Sequence, residues 1–70
     1  MPTTIEELIK QGCEYYQDKE YKESLNYYNK ALEIDPSHTE VLYQKGQCFY
    51  GFGKYEEAIE DYEKILIWTG

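Results

Sequence analysis

The sequence predicts an all-α fold of two stacked antiparallel helical hairpins, a short α-solenoid segment. Three observations carry that expectation. The chain repeats itself at an offset of 34 residues. Helix start and stop signals recur at matching places in the two copies. The apolar residues follow helical and not strand spacing. At the 34-residue offset Pro2 falls on Pro36, Glu6 on Glu40, Leu8 on Leu42, Gly12 on Gly46 and Tyr16 on Tyr50. Tyr21 then falls on Tyr55, Glu23 on Glu57, Tyr28 on Tyr62, Lys30 on Lys64 and Leu32 on Leu66. A fixed period of this length is the signature of stacked supersecondary units. The whole chain, 1–70, reads as one module, with repeat one over about 5–38 and repeat two over about 39–70.

Each copy divides into two helices. Thr4 followed by Glu7 reads as a capping box, and Ser37 followed by Glu40, directly after Pro36, reads as another. In that arrangement the hydroxyl accepts from a free first-turn amide while the carboxylate reaches back to the cap amide. The first helix of each copy is expected from about Thr4 to Gln17 and from about Thr39 to Gly51. Breaks follow at Asp18–Glu20 and at Gly51–Lys54, where Gly53 can take positive φ. The second helices are expected from about Tyr21 to Ile34 and from Tyr55 to Trp68, with Asp35-Pro36 ending the first hairpin. Leu8, Gly12 and Tyr15 form one stripe, repeated as Leu42, Gly46 and Phe49. Tyr21, Leu25, Tyr28, Ala31 and Leu32 form the facing stripe. A glycine in mid-helix costs about 1 kcal/mol relative to alanine. Gly12 and Gly46 therefore imply close approach of a neighbouring helix that carries a large aromatic.

Composition narrows the function classes. Nine Tyr, two Phe and one Trp are too much bulky apolar surface for a disordered segment. Acidic residues are twice as numerous as basic ones, all the basic ones are Lys, and the net charge is -7. Such a surface repels phosphate backbones and anionic lipid, so neither nucleic acid nor membrane is an expected partner. It favours basic, or mixed basic and apolar, protein segments. No signal sequence or bilayer-length apolar run is present, and the expected setting is the cytoplasm. Cys13 and Cys48 make no CxxC pair and are read as reduced thiols near helix contacts, with a Cys13–Cys48 disulfide as the alternative. No phosphate-binding glycine loop or metal-ligand spacing occurs, so no cofactor is expected. The single histidine, His38, lies in the inter-repeat turn and reads as a loop or cap residue, not as a general base. An enzyme is not expected. Glu56, Glu57, Glu60, Asp61 and Glu63 read as a solvated face of the last helix, with Lys64 in helical reach of Glu60.

Period, glycine placement and terminal proline together resemble the tetratricopeptide repeat family. Gly12, Tyr15, Tyr21, Tyr28, Ala31 and Pro36 of the first copy stand where that family places its small and bulky core residues. Gly46, Phe49, Tyr55, Ala58, Tyr62 and Leu66 do so in the second. Leu8 and Leu42 depart from the usual Trp, Ser24 from an Ala, and Gly70 from the closing Pro. The resemblance implies that the first helix of each repeat lines a concave groove for peptides or helices. Here that groove would consist of Glu6, Ile9, Cys13, Tyr16 and Gln17, then Glu40, Tyr43, Gln47 and Tyr50. Helical spacing agrees, since Ile9, Cys13 and Tyr16 lie one step round from the core stripe and Tyr43, Gln47 and Tyr50 repeat the offset. One subtype of the family clamps the C-terminal carboxylate of chaperone tails with Lys and Asn side chains. Ile9, Cys13 and Gln44 occupy those positions here, so that ligand is not expected.

The two ends differ. Glu7 and Glu14 stand where the second copy has Val41 and Cys48, which suits a solvated leading face. Ile65, Leu66, Ile67 and Trp68 form a continuous apolar run at the other end, with Ile67 in place of Glu33. Self-association through Ile65, Ile67 and Trp68, with or without exchange of hairpins, is the expected consequence. Two functions therefore stand side by side, a groove-binding adaptor and a stacking module.

Overall fold

The computed structural model describes residues 4–69, with side chains as far as Ile67. Four helices follow one another: α1 (Ile5–Gln17), α2 (Tyr21–Ile34), α3 (Thr39–Phe52) and α4 (Tyr55–Thr69). α1 packs on α2 and α3 on α4, while α2 packs on α3 and so joins the two hairpins. The expected all-α pair of stacked hairpins is the observed architecture. Pro2, Gly70 and the side chain of Trp68 lie outside the described residues.

Local chemistry explains where α1 and α3 begin. The Thr4 hydroxyl accepts from the Glu7 amide at 3.2 Å, which is the hydroxyl half of the first capping pattern. The second pattern fails. Asp35 draws both the amide and the hydroxyl of Ser37 onto its carboxylate, at 3.2 and 3.1 Å, in a tight Asx turn. His38 becomes the N-cap instead, its Nδ1 accepting from the Val41 amide at 3.4 Å. The two hairpin turns sit at equivalent positions, Lys19 and Gly53, and both are left-handed, with φ of 62° and 82°. Glycine reaches that region freely, while a side chain there is uncommon.

The core lies between the hairpins. Leu8, Tyr28, Ala31, Val41 and Cys48 cluster there, with Tyr21, Leu25 and Leu32 packed against them. The mid-helix glycines do what their cost implied. A Cβ on Gly12 would lie 2.4 Å from the Tyr28 ring, and one on Gly46 would lie 2.7 Å from the Tyr62 ring. Ser24 stitches the hairpins together: its hydroxyl donates to the Gly12 carbonyl at 2.7 Å and accepts from the Cys48 thiol at 3.3 Å. Both cysteines are free, so the disulfide alternative is not realised.

Asp61 departs from the solvated face expected of it. It is 2% exposed, with Lys45 of α3 and Lys64 of its own helix at 4.0 and 3.7 Å from Oδ1. Lys64 thus meets Asp61 and not Glu60. Oδ2 has no hydrogen-bond partner among the described residues. Burial pushes the Asp61 carboxyl above its usual range despite the opposing pull of Lys45 and Lys64. The folded chain therefore holds this proton more tightly than the unfolded chain does. Asp61 contributes stability when pH falls through its raised folded value, and that contribution is lost as pH rises through it. Asp61→Asn is expected to flatten the thermal stability profile across the mildly acidic range, measured by melting the wild type and the variant at a series of pH values. Parallel profiles for the two proteins would contradict this.

Candidate peptide-binding groove

α1 and α3 neighbour one another in the stack through few direct contacts. Ile9, Cys13 and Tyr16 of α1 are half-buried, as is Gln47 of α3, while Tyr43 and Tyr50 are 49% and 64% exposed. Glu6, Gln17 and Glu40 are exposed.

The predicted residues are not used equally. Tyr16, Gln47 and Tyr50 line one open cleft of about 310 Å³, together with Tyr62 of α4. Ile9 packs towards the core, and Cys13 accepts from the Tyr28 hydroxyl at 3.4 Å, so both are partly engaged inside the fold. Tyr43 stands beside the cleft, its ring 5.9 Å from that of Tyr62. Glu6, Ile9, Cys13, Gln17, Glu40 and Tyr43 are not among the lining residues of the cleft.

A ladder of ring contacts holds the cleft walls. Tyr16 meets Tyr21 edge-on at 5.5 Å, and Tyr50 meets Tyr55 edge-on at 5.0 Å. Pairs of this kind contribute about 0.5–1.5 kcal/mol beyond their buried area and restrict the rings to few orientations. The Tyr16 and Tyr62 hydroxyls are raised above the ordinary tyrosine range, first by burial and then by neighbouring tyrosines. Both remain neutral hydroxyls, able to donate and to accept. The Gln47 amide adds a donor and an acceptor on the same floor.

Tyr62 is the residue that sequence reasoning assigned to the core alone. Its counterpart Tyr28 is fully buried under the second hairpin, whereas Tyr62 is half-buried and reaches the cleft. The tyrosine identity at both positions was the available signal. Which side of the ring stays open depends on the neighbouring hairpin and not on the letters. Among the described residues no group of three or more His, Cys, Asp or Glu is placed to hold a metal ion. No described helix is long and apolar enough to cross a membrane.

Of the end residues, Ile65 is half-buried and Ile67 is 75% exposed. The Trp68 side chain, the third member of that expected surface, is outside the described set.

The tetratricopeptide repeat profile matches residues 5–38 and again residues 39–67. The chain is similar to tetratricopeptide repeat protein 14 of Mus musculus, with 38% identity over 83% of the chain and 8% of that protein. It is similar to the Hsp70-Hsp90 organizing protein of Triticum aestivum, with 35% identity over 79% of the chain and 10% of that protein. DnaJ homolog subfamily C member 7 of Mus musculus shows 30% identity over 87% of the chain and 12% of its own length. The chain thus spans about a tenth of the length of these relatives. With two tandem profile matches laid over two helical hairpins, this chain belongs to the tetratricopeptide repeat family.

Proposed function

We propose that this chain is a non-catalytic interaction module that binds a peptide or helix of a partner protein in the groove of α1 and α3. The observation that carries the reading is the cleft of Tyr16, Gln47, Tyr50 and Tyr62, which gathers three tyrosines and one amide from three helices. Rings held by their neighbours bury large area at low entropic cost, which is why Tyr is enriched where binding energy concentrates. The fitting ligand is a segment with an apolar side chain for the cleft and a Lys or Arg for the exposed carboxylates of Glu6 and Glu40. The net charge of -7 attracts basic segments at long range. Two free thiols suit a reducing compartment, and we place the module in the cytoplasm.

The names of several relatives couple Hsp70 with Hsp90. Likeness to them does not make a chaperone tail the ligand here, because Ile9, Cys13 and Gln44 offer no cation and no asparagine at the clamp positions. A peptide array probed with the intact chain tests the groove reading. Bound peptides should share an apolar residue near a basic one, and the double variant Tyr16→Ala, Tyr50→Ala should bind them at least about tenfold more weakly. Unchanged affinity in a folded double variant would refute it.

A second reading has its own support. Ile59, Leu66 and Ile67 on α4 are 54%, 69% and 75% exposed, and exposed apolar runs of this kind mark association surfaces. The chain would then assemble through its C-terminal helix.

A further inference from the structure

Three of the four cleft residues come from the first helices of the two repeats: Tyr16 of α1, with Gln47 and Tyr50 of α3. The fourth, Tyr62, is the counterpart of Tyr28, a residue that the following hairpin covers completely. Recognition is therefore assigned to the first three, which two successive repeats of this chain bring together.

The tyrosines of the chain spend their hydroxyls differently. In the core the Tyr28 hydroxyl donates to the Cys13 sulfur, and Ser24 uses its own on Gly12 and Cys48. Among the described residues, the Tyr16 and Tyr50 hydroxyls and the Gln47 amide make no hydrogen bond inside the chain. The two rings are nevertheless held edge-on, Tyr16 by Tyr21 and Tyr50 by Tyr55. No residue lining the cleft is charged, while the chain as a whole carries a net charge of -7. The cleft is a neutral patch of fixed rings whose polar groups are unspent, in an acidic molecule.

That chemistry discriminates between kinds of ligand backbone. A ligand helix turns its carbonyls onto its own amides. It would cover the hydroxyls and the amide without pairing them, at the cost of leaving buried polar groups unsatisfied. A ligand strand finds no sheet edge to join, since the backbone of α1 and α3 is spent within each helix. A polyproline II segment has no internal hydrogen bonds and leaves its carbonyls free as acceptors. Each proline also removes an N–H that would otherwise need an acceptor, and aromatic-lined grooves suit such preformed segments. The charge of -7 favours basic flanks on either side of the neutral insert.

Resting on the groove reading above, we infer that the cleft takes a proline-bearing segment in the polyproline II conformation, flanked by Lys or Arg. Its rings lie on Tyr16 and Tyr50, and its carbonyl oxygens accept from those two hydroxyls and from the Gln47 amide.

Fluorescence anisotropy with the intact chain and three labelled peptides of equal length and charge tests this. The peptides are a lysine-flanked oligoproline, the same peptide with valine in place of proline, and a lysine-flanked alanine–leucine helix. The oligoproline should bind at least about tenfold more tightly than either of the others. Tyr16→Phe combined with Tyr50→Phe removes both hydroxyls and keeps both rings. It should weaken oligoproline binding about tenfold, with an unchanged melting temperature because neither hydroxyl is bonded within the fold. Equal or tighter binding of the valine or helical peptide would overturn the inference. So would absence of oligoproline binding at high micromolar concentration, or indifference to the double Tyr→Phe substitution. The groove reading is judged separately by the double variant Tyr16→Ala, Tyr50→Ala against whichever peptides bind, those from the array included. Weakened binding there keeps the groove while the polyproline II ligand falls; unchanged binding in a folded variant removes both.

Discussion

Gly12→Leu is expected to abolish cooperative folding, whereas Gly46→Leu leaves a weakened but folded chain. Both glycines lie beneath a tyrosine of the partner helix, and a Cβ would intrude on either ring. The rings differ in their freedom to yield. Tyr28 is fully buried, its hydroxyl held on the Cys13 sulfur, so the 2.4 Å approach at Gly12 cannot be relieved without moving both hairpins. Tyr62 is half-buried and borders the open cleft, so the 2.7 Å approach at Gly46 is less tightly enclosed. Overpacking a tight site costs about 1–3 kcal/mol and occasionally more, against a helix-propensity gain of below about 1 kcal/mol. A domain this small has only a few kcal/mol in reserve. The expected loss is above about 3 kcal/mol at Gly12 and lower at Gly46, within that overpacking range. Thermal melts of the two variants provide the check. Equal losses would contradict the assignment of the rigid and the yielding ring.

Cys48→Glu should separate the hairpins. It places on α3 the residue that α1 carries at the equivalent position, Glu14, which is solvated there. Cys48 itself is fully buried, with its thiol on the Ser24 hydroxyl. Burial already pushes that thiol above its usual range, so the site disfavours negative charge. An unpaired glutamate there is expected to cost about 3–5 kcal/mol, enough to unfold most of the population. Cys48→Ala, which removes only the sulfur, should stay folded and lose far less. Denaturant titration of both variants decides the matter: a near-native midpoint for Cys48→Glu would show that the α2–α3 joint is not what holds the repeats together.

Much of the fold was legible because it is written twice. A stripe that recurs after 34 residues with the same glycine and the same tyrosine allows one helical pairing, and Tyr28 on Gly12 and Tyr62 on Gly46 are that pairing. What escaped depends on atoms distant in sequence or on competition between neighbours. Ser37 matches a capping box, but Asp35 two residues earlier takes its amide and hydroxyl, and the cap passes to His38. Asp61 sits in an acidic run that any helical wheel would leave in water. Lys45 arrives from α3 to join Lys64 of α4 beside the buried carboxylate, and the arrival from α3 is not visible in the local sequence. Lys19 adopts the left-handed turn for which Gly53 was the obvious candidate, since the two are equivalent in the repeat.

The candidate groove was legible in part. Tyr16, Gln47 and Tyr50 were found by their offset from the core stripe, and the structure brings them together in one cleft. Glu6, Gln17 and Glu40 are exposed and do not line the cleft, while Ile9 and Cys13 are partly engaged inside the fold, Ile9 against the core and Cys13 on the Tyr28 hydroxyl. Tyr62 entered from the second helix of its repeat, which a rule confined to first helices does not consider.

The groove claim is tested most directly by mapping a peptide selected on the array onto the isotope-labelled chain by nuclear magnetic resonance. The account predicts that the largest shift changes fall at Tyr16, Gln47, Tyr50 and Tyr62, with smaller ones at Tyr43 and Glu40. Changes centred on the exposed face of α2, at Lys22, Asn26 and Asn29, would contradict it.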